Sequence, residues 1–311
     1  MELPVKFEDT NFINFDNQEV ETLKLNGVEI WSDFKKLGQL IDRSIETVSA
    51  EDLDGVSTIG QYAFSGCTEL QSVEIPDSIT TIDSNAFSDL KKLKNVTLGN
   101  NLTTIYAAFQ NCTGLTSIVI PDSVTIISGT FSGCTGLRNV IIGNNVKTIS
   151  TNTFYGCTGL TQIIIPKSVT DFGSYSTFQD CTNLQSVVIL GYLWEKIPQS
   201  AFKNCTSLTS VTLPEYTATQ EASIESSAFE NCTSLTEITL PKTIRKIGDA
   251  AFKGCSALRV LRLRAEQPPL MSDSDAIPST VERIEVPFGY VSRYESTTDA
   301  WVYFKDKLVG V

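Results

Sequence analysis

The sequence predicts a β-rich α/β solenoid: a right-handed coil whose turns stack their strands into one concave parallel sheet of about ten strands, capped at both ends. The first observation is a repeat of 22 to 27 residues, a period typical of stacked repeats. The second is a phenylalanine in each of nine repeats: Phe64, Phe87, Phe109, Phe131, Phe154, Phe178, Phe202, Phe229 and Phe252. The third is a leucine six residues after each phenylalanine: Leu70, Leu93, Leu115, Leu137, Leu160, Leu184, Leu208, Leu235 and Leu258.

Each repeat is predicted to hold one short strand, a turn and an extended return segment. With the cysteine of the repeat as position 0, phenylalanine stands at −3, leucine at +3, and Val, Ile or Leu at +6 and +8. Side chains alternate along a strand, so +6 and +8 are expected inside and +5 and +7 outside. Proline or glycine at +9 ends most strands, and a second apolar pair, such as Val124 and Ile127, returns the chain.

The cysteines are predicted to be buried free thiols. They stand at Cys67, Cys112, Cys134, Cys157, Cys181, Cys205, Cys232 and Cys255. One repeat has Leu90 in this slot, and a leucine suits the slot only if it is buried and apolar. Disulfides between coils are disfavoured because stacked repeats point equivalent side chains in parallel. The cysteines offer no C-x-x-C pair and no histidine for a metal or for catalysis.

Composition argues against several functions. With no histidine there is no Ser-His-Asp or Cys-His set, and no phosphate-binding glycine motif occurs, so we expect no enzyme and no cofactor. The net charge of −12 disfavours nucleic acid, and the chain lacks the run of about 18 apolar residues that membrane insertion needs. The +10 series (Asp77, Asn100, Asp122, Asn144) suits turn capping better than a calcium ladder, because Lys167 interrupts it.

Residues 55–264 resemble the BspA-like leucine-rich repeats of bacterial surface proteins, which also occur in some protists and phage-borne genes. The string "IPDSVTIISGTFSGCTGL" at 120–137 is similar to the family consensus, and "IPDS" and "GNN" turns alternate as in its members. The resemblance implies adhesion or ligand binding, usually outside the cell, without enzymatic activity. It carries over no fixed binding residues.

Both ends of the repeats are expected to be covered. Residues 32–54 are predicted to form a cap helix, since Leu37, Leu40, Ile41, Ile45 and Val48 share one helical face. Residues 265–311 are predicted to hold a last strand, with Ile284 and Val286, followed by a segment that resembles the family's C-terminal cap.

Residues 1–31 are predicted to form a separate β-hairpin module. "NFINFDNQEVETLKLNGVEIW" alternates apolar and polar residues around Asn26-Gly27, which is a hairpin signal. The stretch also resembles a short module at the start of many phage structural proteins. Two interpretations stay open: a docking module of that kind, or a strand pair that only shields the cap. The amino terminus lacks the pattern of a signal peptide, so a signal has been removed, another export route is used, or the protein stays inside.

Two candidate binding sites follow from the repeat positions. The first is an outward row at +7, whose middle members Val119, Ile141, Ile164 and Val188 are β-branched and lie on consecutive strands. An exposed apolar stripe is a plausible protein contact, although β-branched residues favour strands even without one. The second candidate is the aromatic pair Tyr192 and Trp194 in the irregular sixth coil, which would stack on sugar rings or cover the edge of the solenoid.

The sequence therefore predicts a non-catalytic repeat protein that binds a protein or cell-surface glycan at a cell or virion surface. The alternative is a structural component of a phage or phage-like particle, docked into the larger assembly through residues 1–31.

Overall fold

The computed structural model describes residues 43–191, 195–214, 221–271 and 273–311, together with four short strands nearer the amino terminus, Phe12–Ile13, Leu23–Leu25, Val28–Trp31 and Gln39–Leu40. The chain is a parallel-strand β-solenoid of about 11 turns, which confirms the predicted fold class.

One strand per coil forms the first face of the solenoid, which we call the front sheet and which corresponds to the predicted concave sheet. All of its neighbouring strands that pair are parallel, as a chain returning in the same direction on every coil requires. The strands are Thr47–Val48, Ser72–Glu74, Asn95–Thr97, Ser117–Val119, Asn139–Ile141, Gln162–Ile165, Ser186–Ile189, Ser210–Thr212, Glu237–Leu240, Val260–Leu263, Arg283–Val286 and Leu308–Gly310.

The return segments form a second set of short parallel strands. Their inward side chains are the apolar pair predicted at +12 and +15, for example Val124 and Ile127, both buried. These strands are Thr58–Ile59, Thr81–Ile82, Thr104–Tyr106, Ile126–Ser128, Thr148–Ile149, Lys196–Ile197, Ala222–Ile224 and Ile244–Ile247. Helical structure among the described residues is limited to Glu51–Leu53, Ser274–Ala276, Val291–Glu295 and Ala300–Lys307.

A column of phenylalanine rings runs through the core along the solenoid axis. Rings of successive coils from Phe64 to Phe252 stack with centroids 4.6 to 5.9 Å apart and planes within 14° of each other. The leucines at +3 beside them are 0% exposed. Each coil buries its apolar residues largely against its neighbours, so the repeats fold as an array.

The cysteines line a second internal column, and all eight are buried free thiols, as predicted. From Cys112 onward each thiol also donates a hydrogen bond, 3.0 to 3.2 Å long, to the carbonyl oxygen of the phenylalanine one coil earlier. Sequence reasoning missed this bond, because the pattern shows only a small apolar residue in the slot.

The alternation of "IPDS" and "GNN" turns has a direct packing reason. The Asp77 carboxylate accepts a hydrogen bond of 2.6 Å from the Asn100 backbone, and Asp122 accepts the same bond from Asn144. At Gly143, a Cβ would lie 2.5 Å from the Pro121 carbonyl oxygen of the coil before. In these two pairs of coils the proline turn leaves no room for a Cβ in the following "GNN" turn, and the aspartates act as the turn caps that the sequence favours.

The cap helix predicted for residues 32–54 is wrong. Thr47–Val48 is a strand that pairs with Ser72–Glu74, and Gln39–Leu40 pairs antiparallel with Phe12–Ile13. Among the residues of this segment that the structure describes, only Glu51–Leu53 is helical. The reason is an ambiguity of spacing: Ile45 and Val48 stand three residues apart, as on a helix, but the +3 and +6 slots of a repeat have the same separation. The first strand of the front sheet thus begins inside the segment predicted to be the cap.

The hairpin strands predicted around Asn26-Gly27 pair antiparallel as Leu23–Leu25 and Val28–Trp31. At the other end, Tyr294 and Trp301 are 0% exposed. The Tyr294 hydroxyl donates to the Ala265 carbonyl at 2.7 Å, and the Trp301 indole donates to the Pro269 carbonyl at 2.6 Å. The predicted last strand is Arg283–Val286, and the chain adds one further strand, Leu308–Gly310, which the sequence pattern did not indicate.

Candidate binding surface

The outward side chains of the front sheet form two rows. The +5 row is polar along most of its length, with Asn95, Ser117, Asn139 and Gln162 exposed. The +7 row contains Val119, Ile141 and Ile164, which are 57%, 62% and 58% exposed, and Val188, which is half-buried. We call these four +7 residues the front stripe.

The register of the strands brings the members of the front stripe side by side. Val119 is directly opposite Ile141, and Ile164 is directly opposite Val188. Within each of these two pairs the strands are about 4.8 Å apart. The four side chains face outward in one row, as the sequence predicted.

The hydrogen-bonded ladder of the front sheet is interrupted within the stripe. Among the described residues, the strand Asn139–Ile141 pairs only with Ser117–Val119, while Gln162–Ile165 pairs only with the strand that follows it. Val140, an inward +6 residue, is consequently half-buried, whereas Ile163 is buried. Val96 and Val211 are half-buried at the ends of two further strand groups, so inward +6 positions are less uniformly buried than predicted.

A cleft of about 520 Å³ lies at this interruption, and we call it the front cleft. Ile141 and Ile164 of the front stripe are among the residues that line it. The others are Arg138, Asn139, Val140, Ile142, Asn144, Gln162, Ile163, Pro166 and Leu190. Sequence reasoning missed the cleft, because the +5 to +8 pattern is the same in coils where the ladder is continuous.

Charged side chains of the front sheet are mostly paired at its carboxyl-terminal end. Arg262 contacts Glu237 at 3.0 Å and Glu285 at 2.7 Å, and Arg283 contacts Glu285 at 2.7 Å. The hydrogen bond from Arg262 lowers the pKa of Glu237, so this carboxylate stays ionised. This end of the sheet is a closed ion-pair network, whereas the front stripe carries no charge of its own.

The second predicted site, Tyr192 and Trp194, lies outside the described residues.

Burial disfavours the thiolate form of the cysteines in the middle coils. Burial raises the pKa of Cys134 to about 12 and that of Cys157 well above its usual value, so neither forms a thiolate nucleophile near neutral pH. Within the described residues, acidic and cysteine side chains form no cluster suited to a metal ion. No helix of the described chain has the length and apolar character needed to cross a membrane.

The fold and this surface define a class: a solenoid repeat protein that presents an open parallel sheet to solvent. The sequence matches the BspA type leucine rich repeat region in three overlapping stretches, 40–130, 106–222 and 195–267, with six copies of the repeat. The chain belongs to this family, which confirms the resemblance inferred from its motifs.

Solved structures of bacterial leucine-rich repeat proteins are similar to the chain. A T. pallidum leucine-rich repeat protein is 26% identical, with a TM-score of 0.44 over 62% of this chain and 78% of that one. A leucine rich cell surface protein of Faecalibacterium prausnitzii A2-165 is 25% identical, with a TM-score of 0.40 over 82% of each chain. The comparison with curated proteins finds no significant match.

Proposed function

We propose that the protein is a non-catalytic adhesion protein that acts at a cell or virion surface and contacts a partner through the front stripe. The observation that carries the proposal is the exposure of three large apolar side chains, Val119, Ile141 and Ile164, by more than half on consecutive strands. The strands already fix the backbone and β-branching restricts χ1, so these side chains lose little conformational freedom on binding, which favours a docking role.

The energy available from the front stripe is sufficient for a measurable contact. Covering a half-exposed Val or Ile removes part of its apolar area from water and contributes on the order of 1 kcal/mol for each residue. Since 1.4 kcal/mol changes a dissociation constant about tenfold, loss of two such contacts would weaken binding by at least that factor.

A protein partner fits the front stripe better than a glycan. The stripe offers methyl groups from branched aliphatic side chains, whereas sugar rings are held mainly by flat aromatic faces and polar side chains. A glycan partner would instead favour Tyr192 and Trp194.

The test is binding of the fluorescently labelled protein to a panel of epithelial and bacterial cells, measured by flow cytometry. One sample of each cell type is shaved with trypsin to remove surface proteins, and another is treated with periodate to oxidise surface glycans. We expect binding that trypsin abolishes and periodate spares. The variant Ile141→Lys with Ile164→Lys should bind at least tenfold more weakly.

The matched control is Tyr62→Lys with Tyr106→Lys, which places the same two charges on exposed apolar positions outside the front sheet; Tyr62 and Tyr106 are 50% and 45% exposed. Circular dichroism establishes first that both variants are folded. Equal loss of binding in both variants, or no loss in the front-stripe variant, would contradict the proposal. Binding that periodate alone abolishes would point to Tyr192 and Trp194.

The second candidate function is a structural component docked through residues 1–31. It is supported by the antiparallel pairing of Leu23–Leu25 with Val28–Trp31, as expected for a compact hairpin module. Removing residues 1–31 separates the two functions: the adhesion protein retains its cell binding, whereas a structural component loses its incorporation into purified particles.

A further inference from the structure

The front cleft has an unusual charged neighbour. Arg138 stands at the +4 position, immediately before the strand Asn139–Ile141, and is exposed. Within the described part of the chain, its guanidinium makes no hydrogen bond or ion pair. Arg138 lines the same cleft as Ile141 and Ile164. The front cleft therefore combines an unpaired cation with an apolar surface.

The arginine at the same position five coils later behaves differently. The Arg259 guanidinium donates to the Ser256 carbonyl at 2.8 Å and to the Leu258 carbonyl at 3.2 Å, and it pairs with Glu282 at 3.3 Å. The +4 position therefore permits a fully partnered arginine. Arg138 has no ion-pair partner at the place where Glu282 pairs with Arg259, because Thr161, at +4 of the next coil, carries no charge.

We propose that the front cleft binds an extended peptide segment in which an acidic side chain lies within three residues of a large aliphatic or aromatic side chain. The carboxylate pairs with Arg138, and the apolar side chain packs between Ile141 and Ile164. This inference rests on the proposed function and specifies the chemistry of its partner.

The spacing follows from the geometry of a strand. Arg138 and Ile141 are three residues apart, which corresponds to about 10 Å along a strand. The long Arg138 side chain can bring its guanidinium closer to Ile141 than this backbone distance. The carboxylate and the apolar side chain of an extended peptide must therefore be one to three residues apart. A carboxylate suits the arginine fork because it accepts two parallel hydrogen bonds.

Polar groups beside Arg138 fit a peptide. Asn139 and Gln162 line the cleft on adjacent strands, and both carry amides that donate and accept hydrogen bonds. At the other end, Pro166 and the exposed Leu190 extend the apolar lining. A ligand of mixed polar and apolar character therefore satisfies the cleft better than an inorganic anion, which would leave its apolar part uncovered.

The test begins with a random 12-residue peptide library displayed on phage and panned against the immobilised full chain in 0.15 M salt. Sequencing should show enrichment of peptides with Asp or Glu within three residues of Leu, Ile, Phe or Trp. The most enriched peptide is then synthesised, together with a copy in which the acid is replaced by its amide, and dissociation constants are measured for both.

We expect Arg138→Gln to weaken binding of the acidic peptide about tenfold and to have less than a twofold effect on the amide peptide, because the carboxylate and the guanidinium interact with each other. The matched control is Arg259→Gln, which removes the same charge from the same repeat position and should change neither constant by more than twofold.

The outcomes separate this inference from the proposed function. Peptides that bind equally to Arg138→Gln but at least tenfold more weakly to the variant with Ile141→Lys and Ile164→Lys would overturn the acidic-peptide inference and leave the front stripe as the site. Peptides insensitive to both variants would overturn both proposals. A panning experiment that enriches nothing would overturn the peptide inference.

Discussion

A single slot in the repeat, the cysteine at position 0, shows how the core is built at the scale of one residue. The Cys157 thiol is 0% exposed and donates to the Phe131 carbonyl at 3.2 Å. The same carbonyl also accepts the Cys134 backbone N–H at 3.1 Å, so it has a partner without the thiol. Leu90 fills the slot in another coil, which indicates that burial is the essential property and the thiol bond an addition.

The raised thiol pKa values predict a loss of stability at alkaline pH. An unfolded cysteine loses its proton above its usual pKa of 9.0, whereas folded Cys134 retains it until about pH 12. Below pH 9 the thiol is protonated in both the folded and the unfolded state, so its pKa shift does not change the free energy of unfolding. Between pH 9 and 12 only the unfolded state loses the proton, which stabilises the unfolded state. Each such thiol therefore lowers the free energy of unfolding by about 1.4 kcal/mol per pH unit in this window. Urea titrations at pH 8, 9, 10 and 11 measure the decline.

The control for this prediction is Cys134→Leu, which copies the residue found at Leu90. It should fold, and its free energy of unfolding should fall less steeply above pH 9 than that of the natural chain, by about the contribution of one thiol. Identical slopes for the two proteins would show that the alkaline transition comes from other groups.

At the scale of one element, the turns are determined by backbone conformation as much as by burial. The residue before position 0 has a positive φ in all nine coils, and only Gly, Asn and Asp occur there: Gly66, Asp89, Asn111, Gly133, Gly156, Asp180, Asn204, Asn231 and Gly254. These residues tolerate the left-handed region best. The glycine at +9 is required for a different reason: Gly143 faces the Pro121 carbonyl, and a Cβ there would have no space.

The two kinds of glycine should respond differently to substitution. Gly143→Ala should lower the free energy of unfolding by about 1–3 kcal/mol, since its Cβ would meet the Pro121 carbonyl at 2.5 Å and force the coils apart. Gly156→Asn should be nearly neutral, because Asn occupies this left-handed position in other coils and the nearest atom to the new Cβ is 3.9 Å away. Urea denaturation monitored by circular dichroism compares them. Equal destabilisation would refute the distinction.

At the scale of the whole molecule, a solenoid must cover the open ends of its core. The carboxyl-terminal end is closed by Trp301 and Tyr294, which are both fully buried and hydrogen-bonded to backbone carbonyls. At the other end, Ile45 and Val48 are 5% and 1% exposed and belong to the first coil. The amino-terminal boundary of the repeats therefore lies before residue 45, inside the segment first expected to be a helix.

Two truncations test this boundary. Deletion of residues 1–31 should leave the repeats folded, because Ile45 and Val48 remain in place. Deletion of residues 1–48 removes the strand Thr47–Val48 and exposes the core at Ser72–Glu74, so we expect aggregation. Size-exclusion chromatography with light scattering distinguishes the monomer from aggregates. If both proteins behave alike, the first coil does not begin where the structure places it.

The sequence by itself determined the repeat, the inward columns of Phe, Leu and Cys, the outward front stripe and the family, because each depends on a period that stacking copies from coil to coil. The spacing of Ile45 and Val48 could not distinguish a helix from a repeat, because both have apolar residues three positions apart. The pairing of Thr47–Val48 with Ser72–Glu74 shows that this segment is a repeat strand. Only the tertiary structure decided where the front sheet is interrupted, that Val140 is partly uncovered and that Arg138 has no partner within the described chain. These features depend on the contacts between two particular neighbouring coils, which a pattern common to all coils does not contain.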